Sequence, residues 1–501
     1  MAKKAVWLDQ VIERIEGGRH VAKVYSRIRV TDHMSAQDEK LIAEPSNFRG
    51  LVIRCIFFMC FISQPIHSEI LLVVDEEIEL FLEYLVNLIK DSLGYRQKIN
   101  VYVSTDQTLN AMATASGDIV VNAGAILHIK DYTELIAILA HEVGHIAGHH
   151  MTKFLTVSKD MARSSLITSV LGAGAAVLTK NPAPLAAGVF AGQSMFMGQL
   201  LAKLRQIESM ADTKVIEAMI KLGWFSVFHG IVGLYRKLGD HVAICNPYLS
   251  THPMSQVRAA KFIELAEKHG KTAVSSKVKN LLERIKEKFE VMKIKLESLL
   301  FPPRDTIARY KSPAEPAQGY ALAIALMRSN KYAAAIPCIG DVIAHAGEPV
   351  KPSILTPISI PHCSEIKLMC LFNLHRYQEL IETFHAVQDR TRNNEVYRDI
   401  TMIYALAVAN YASSKKEKLS AIKALKKVLT RHPEDVWVLN MLGRLFSDIG
   451  REDHASLYAA KTAMLTGDKE TAKIHAQRAS SSKDRGITSQ AADILSQVSD
   501  E

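Results

Sequence analysis

Two histidines four residues apart, with a glutamate beside the first, form a minimal set of groups for metal-assisted hydrolysis. In His141-Glu142-Val143-Gly144-His145 a helix would place the imidazoles one turn apart on one side, where both can hold a single Zn²⁺. Glu142 then lies beside them as a base for a water on the metal. The lead-in Tyr132-Thr133-Glu134-Leu135-Ile136-Ala137-Ile138-Leu139-Ala140 is rich in good helix formers. Such a site needs a third protein ligand, with the fourth position open to water and substrate. Further along, Glu208 and Asp212 are four apart in a helical stretch and share one face. Glu208 can ligate the metal, and Asp212 can hydrogen-bond a ligand imidazole and fix its tautomer. The alternative for such a pair is a solvated acidic face.

Several further stretches stand in order around these residues. Asn110-Ala111 is followed by Gly117-Asp118-Ile119-Val120-Val121-Asn122-Ala123-Gly124, and His150 follows the two histidines. Met219 and Gly223-Trp224 follow the glutamate, and Ser250-Thr251-His252-Pro253 with Arg258 comes last. Together with HEVGH and ExxAD, over residues 70–265, this resembles the CAAX-prenyl-protease-like gluzincin metallopeptidases. The resemblance implies a zincin-like metalloprotease domain with one Zn²⁺ per chain, held by His141, His145 and Glu208. It makes Glu142 the catalytic base, taking a proton from water and passing it to the leaving amine. It also brings His252 near the metal, either as an oxyanion stabiliser or as a latent fourth ligand; both roles stay open. His149 and His150 are read as structural hydrogen-bonding groups.

The elements that must position these groups can be read around them. Ile78, Phe81, Leu82, Leu85, Leu88 and Ile89 recur as on an amphipathic helix, and Lys98-Ile99-Asn100-Val101-Tyr102-Val103 alternates like a strand. Ile119-Val120-Val121-Asn122, bounded by Gly117 and Gly124, reads as a short strand. Val120, Val121 and Asn122 are expected to line the substrate cleft by β-addition, with a buried structural strand as the alternative. The peptidase domain is therefore expected to be α+β. The apolar stretch 165–190, broken at Asn181-Pro182-Ala183-Pro184, reads as a helical hairpin by the site, with membrane contact as the alternative.

The net charge of +9 is scattered over 501 residues. No basic run or aromatic-interleaved patch points to nucleic acid; peripheral contact with anionic membranes is compatible with this surface. Residues 51–68, with Arg49 and Arg54 near a short apolar core, resemble an export signal. Their position leads to the expectation that residues 1–50 are a doubtful extension and that translation begins near residue 50. Among the cysteines beyond that segment, Cys245, Cys338, Cys363 and Cys370, none forms a CxxC, and Cys363 and Cys370 on one helix cannot bridge.

The expected domains are the peptidase at 69–268, a helical linker at 269–316, a repeat domain at 317–480 and a polar, partly mobile tail at 481–501. Residues 317–480 read as helical units of roughly 34–40 residues, consistent with an all-α tetratricopeptide-like solenoid. In the best unit, after His432-Pro433-Glu434-Asp435, Gly443 and Ala455 allow close helix approach and Phe446 fills the gap. Stacked helix pairs build a concave surface suited to another protein. The combined reading is an exported, periplasmic, zinc-dependent endopeptidase whose repeats present protein substrates or dock onto an assembly machine. The resemblance implies quality control of outer-membrane proteins. The alternatives are a largely latent protease working as a chaperone-like adaptor, and an integral-membrane protease.

Overall fold

The computed structural model describes residues 6–7, 26–28, 70–114, 116–150, 183–240, 252, 256–346, 353–390, 397–412 and 414–499. Of 6–7, 26–28, 70, 183–198, 200–201, 238–240 and 499 it describes the backbone alone. The chain divides into a unit of residues 73–403 and a unit of residues 1–72 with 404–501.

In the unit of residues 73–403, helix α1 (Glu76–Ser92) starts where the Asp75 carboxylate accepts a hydrogen bond from Ile78 N at 3.1 Å. That bond satisfies one of the amides a helix start leaves unpaired. Its apolar stripe, Ile78, Phe81, Leu82, Leu85, Val86 and Ile89, is buried. Three short strands follow. β4 (Val101–Ser104) runs parallel to β6 (Ile119–Asn122), and β5 (Ala111–Ala113) pairs antiparallel on the other side of β6. Gly117, at φ +83°, makes the turn from β5 to β6, a conformation glycine adopts at no steric cost.

The sheet corrects the expected substrate strand. β6 has a partner on each side, and Val120, Val121 and Asn122 are all buried. Asn122 is committed to the fold: its side chain accepts from Ser104 Oγ at 2.8 Å and donates to Thr108 Oγ1 at 3.0 Å. A strand hydrogen-bonded on both edges has no amides left for a peptide. The edge strand is β5, where Met112 is exposed between buried Ala111 and Ala113.

Helices α2 (Ala123–Leu127) and α3 (Tyr132–Ala147) come next; α3 packs on β5 and α1. Then follow α4 (Ala183–Leu222), α5 (Ser226–Asp240) and α6 (Gln256–His269). α4 and α5 both pack on α3, and α6 packs on α5. Of the expected hairpin at 165–190, residues 165–182 lie outside the described residues, and 183–190 are the first turns of α4. Among the described residues no helix is long and apolar enough to cross a membrane. The export-signal segment 51–68 lies outside the described residues, as does most of 1–50.

The segment expected as a linker is instead a packed element. α7 (Ser276–Leu300) buries Leu282, Ile285, Phe289, Met292, Leu296 and Leu299, and with them Lys288 and Lys295. Lys295 Nζ lies 2.9 Å from Asp75 Oδ1 and 2.7 Å from Glu77 Oε2. Lys288 Nζ donates to Glu77 Oε1 at 2.6 Å and to the carbonyls of Thr356 and Pro357 at 3.0 and 3.3 Å. Lys293 Nζ donates to Ile129 O at 2.6 Å, just before α3. The linker reading fails because Lys288 and Lys295 share the apolar stripe and are buried with it. α8 (Pro303–Arg309), α9 (Pro316–Arg328), α10 (Tyr332–His345), α11 (Ile360–Asn373) and α12 (Tyr377–Arg390) follow, and from α8 each packs on the next. Cys363 and Cys370 are free thiols buried on α11.

In the other unit, β1 (Val6–Trp7), β2 (Ser26–Ile28) and β3 (Ile70–Val73) pair antiparallel in sequence order. α13 (Arg398–Tyr411), α14 (Lys415–Arg431), α15 (Val436–Asp448), α16 (Glu452–Thr466), α17 (Lys469–Ala479) and α18 (Arg485–Ser499) complete the chain; from α14 each packs on the next. Phe446 is buried and stacks on Tyr458, with ring centroids 5.6 Å apart. A methyl group on Gly443 would lie 3.6 Å from Ala455 O, an ordinary contact, so the helices pack there without needing the glycine. The expected polar tail is a helix: Ile487, Ala491 and Ile494 of α18 are buried against Ala472, Ala476 and Ala479 of α17. These three lie at i, i+4 and i+7, a helical stripe hidden in a serine-rich sequence.

Candidate metal centre

α3 is capped by the Asp131 side chain, which accepts from Thr133 N at 2.8 Å, and is buried along most of its length. That burial sets its rotation, so His141 and His145 turn together toward α4. Gly144, between them, permits contact: a methyl there would stand 3.0 Å from Ala211 O and 3.3 Å from Lys214 Cβ. The resulting approach of α4 brings Glu208 and Asp212, one turn apart, opposite the two histidines. Both carboxylates are 2% exposed, so the solvated-face alternative fails.

His141 Nε2 lies 3.0 Å from His145 Nε2, 3.1 Å from Glu208 Oε2 and 3.2 Å from His252 Nδ1. Glu208 Oε1 lies 3.3 Å from His145 Nε2 and 3.3 Å from His252 Nδ1. All four donor atoms fall within 4.8 Å of one another. Four ligands at roughly 2.0–2.2 Å from a tetrahedral Zn²⁺ stand about 3.3 Å apart, so the cluster has the size such an ion requires. Its imidazole and carboxylate donors also suit that ion class. His141 Nδ1 is 3.5 Å from Asp212 Oδ1, which leaves Nε2 as the nitrogen turned into the cluster. Glu142 is 1% exposed, and among the described residues neither carboxylate oxygen has a hydrogen-bond donor; His252 Nε2 is 3.4 Å from Oε1.

Arg258 of α6 reaches the same place. Its Nε and NH2 meet Asp212 Oδ2 and Oδ1 at 2.6 and 2.8 Å, and its NH1 meets Glu208 Oε2 at 2.9 Å. In sequence it was carried only as part of a motif, and a polar stretch hid its partners.

The charges around the cluster follow from burial and these pairs. Burial disfavours a charged His141, but the Asp212 and Glu208 carboxylates outweigh it and lift the imidazole to about 9. Burial alone would raise the carboxyls of Glu208 and Asp212. Hydrogen bonds from His141, His145 and His252 hold Glu208 well below the usual range, and His141 and Arg258 lower Asp212. His145 is lowered, chiefly by burial.

His150 is buried, with Nδ1 3.3 Å from His145 Nδ1, while His149 is exposed at φ 51°. Of Ser250-Thr251-His252-Pro253, only His252 falls within the described residues.

Residues 77–266 match the model of Peptidase family M48. A curated protein of Vibrio cholerae serotype O1, "Putative beta-barrel assembly-enhancing protease", is 25% identical over 194 residues, which cover 36% of this chain and 39% of that protein. The chain thus aligns with well under half the length of that relative. The matched segment contains all four donors, Glu142, Asp212 and Arg258. Residues 77–266 are thus similar in sequence to the metallopeptidases of family M48.

Proposed function

We propose that the chain is a zinc-dependent endopeptidase that hydrolyses peptide bonds of protein substrates. The observation that carries this reading is the convergence of His141, His145 and Glu208 beside a buried Glu142 whose oxygens have no donor among the described residues. A metal in the cluster supplies Lewis acidity, polarising the scissile carbonyl and lowering the pKa of water. Glu142 accepts the proton of the attacking water and returns it to the leaving amine. Asp212 keeps His141 in the tautomer with Nε2 free for the metal. An extended substrate lies along β5, the open edge beside α3, with Met112 on the outer face.

The wider role we propose is quality control of outer-membrane proteins in the periplasm. The export-like segment 51–68 and the name of the Vibrio cholerae relative support it. Helices α9 to α12 of one unit and α14 to α18 of the other act as tetratricopeptide-like repeats that hold a protein partner; the sequential packing within each set supports that use.

A second reading has its own observation. His252 Nδ1 belongs to the donor set, so four protein ligands can close the site. The chain would then be largely latent and act as a chaperone-like adaptor through its helices. Casein cleavage by the full chain, by Glu142→Gln and by His252→Ala, with metal content measured for each, separates the two. The protease reading expects wild-type cleavage to vanish in Glu142→Gln with zinc retained; a Glu142→Gln variant as active as wild type overturns it. A silent wild type with an active His252→Ala variant establishes the latent form.

A further inference from the structure

Glu208 and Asp212 are two buried carboxylates one turn apart on α4, a spacing at which like charges repel. Arg258 from α6 spans both. Two edges of its fork hold both oxygens of Asp212, and NH1 holds one oxygen of Glu208. Arg258 is itself only 9% exposed, and Tyr235 of α5 places its ring 5.9 Å from the guanidinium carbon. The fork is thus fixed from a third helix. Its hold on Glu208 is one-sided: NH1 meets Oε2, which also lies 3.1 Å from His141 Nε2, while Oε1 is turned to His145 and His252.

We propose that Arg258 is a positioning residue that limits Glu208 to one-oxygen ligation, setting the metal affinity and keeping a coordination position for substrate. This rests on the metallopeptidase reading. A planar guanidinium can bind two carboxylates in fixed directions, whereas an ammonium is a point charge. Without the fork, Glu208 is free to turn both oxygens to the metal and fill the position that substrate needs. Asp212 would also lose the bonds that aim it at His141 Nδ1. Arg258 touches neither substrate nor reacting atoms, so it acts on the site through these two carboxylates.

The test uses the full chain stripped of metal, with Arg258→Gln and Arg258→Lys beside wild type. Zn²⁺ affinity is read by competition with a chromophoric chelator, and ligation by the visible spectrum of the Co²⁺-loaded proteins. Loss of an outer partner of a metal ligand typically weakens metal binding about 10–100-fold. Arg258→Gln is expected in that range, and Arg258→Lys between it and wild type. The Co²⁺ bands of both variants should weaken as coordination number rises above four. A merely structural role lowers the melting temperature and leaves the affinity and the Co²⁺ spectrum of the folded protein unchanged; that result overturns the proposal. Arg258→Lys keeps the buried cation, so it answers the question even where Arg258→Gln folds poorly. Wild type that takes up no metal overturns the metallopeptidase reading itself, and with it this one.

Discussion

Two buried clusters of charged groups lie in the unit of residues 73–403, and they are built on opposite plans. At the start of α1, Asp75 and Glu77 meet Lys288 and Lys295, so unlike charges face each other and cancel. Each of the three protons of Lys288 has an acceptor, and the Tyr320 hydroxyl donates to Glu77 Oε2 at 3.1 Å. Burial would raise the Glu77 carboxyl, but the two lysines hold it well below its ordinary value. Around α3, like groups converge instead. Nitrogens of His145 and His252 crowd His141 Nε2, and among the described residues Glu142 has no donor. A cluster that closes its own charge account is architecture; one that gathers lone pairs beside a carboxylate can take an added cation. Burial and charge count alone do not separate the two, because both are dry and dense in ionisable groups.

The strongest way to break this contrast is to open the closed cluster. Lys295→Met leaves Glu77 with Lys288 and takes from the buried Asp75 its ion pair with Lys295. Removing one member of a buried ion pair typically costs about 3–5 kcal/mol, so a drop of that size is expected in thermal or urea unfolding at pH 7. Zinc content of the folded fraction should not change, because Lys295 contacts none of the donors. The double variant Asp75→Asn with Lys295→Met should recover part of the loss. A loss under about 1 kcal/mol for Lys295→Met would show that the lysine side contributes little.

A gentler probe uses His362 of α11, buried with Nδ1 2.8 Å from Ser359 Oγ and 3.8 Å from Glu77 Oε1. Burial pushes its pKa down from 6.5 to about 4; Glu77 opposes this, and Lys295 and Lys288 add to it. The folded state therefore binds fewer protons than the unfolded state between these values, and stability falls as pH falls through that window. The contribution is complete above pH 6.5 and lost on approaching pH 4, on the order of 3 kcal/mol. His362→Gln should flatten that part of the stability–pH curve. An unaltered slope between pH 6.5 and 4 would mean that the imidazole can be charged in place.

The two plans were not equally legible in the sequence. The metal cluster could be read because its chemistry demands fixed residue types at helical spacing: His141 and His145 across one turn, Glu208 and Asp212 across another. The closed cluster draws partners from α1 and α7, more than two hundred residues apart, and no local spacing links them. The one local signal was the placement of Lys288 and Lys295 within the stripe of Ile285, Phe289, Met292 and Leu296. β6 was read correctly as a strand from its β-branched residues. Its place in the sheet was not, because edge or centre is decided by partners. β5 carries no β-branched residue and was visible only as part of a motif. α18 was hidden because its buried stripe rests on one face of a mostly polar segment.

The smallest effects test whether close helix approach serves the open cluster in particular. At Gly144 an added methyl would stand 3.0 Å from Ala211 O, a backbone atom that can give way only if α3 and α4 separate. At Gly443 it would stand 3.6 Å from Ala455 O, an ordinary contact. Gly144→Ala should therefore cost about 1–3 kcal/mol through overpacking. Because Glu208 and Asp212 ride on α4, it should also weaken Zn²⁺ binding in the chelator competition. Gly443→Ala removes a helix-interior glycine without a clash, so it should be neutral or stabilising by up to about 1 kcal/mol and leave Zn²⁺ binding alone. If Gly144→Ala lowers stability while metal affinity holds, α4 has shifted without moving its carboxylates. The ligand geometry would then be secured from the α6 side, by the hold of Arg258 on both of them.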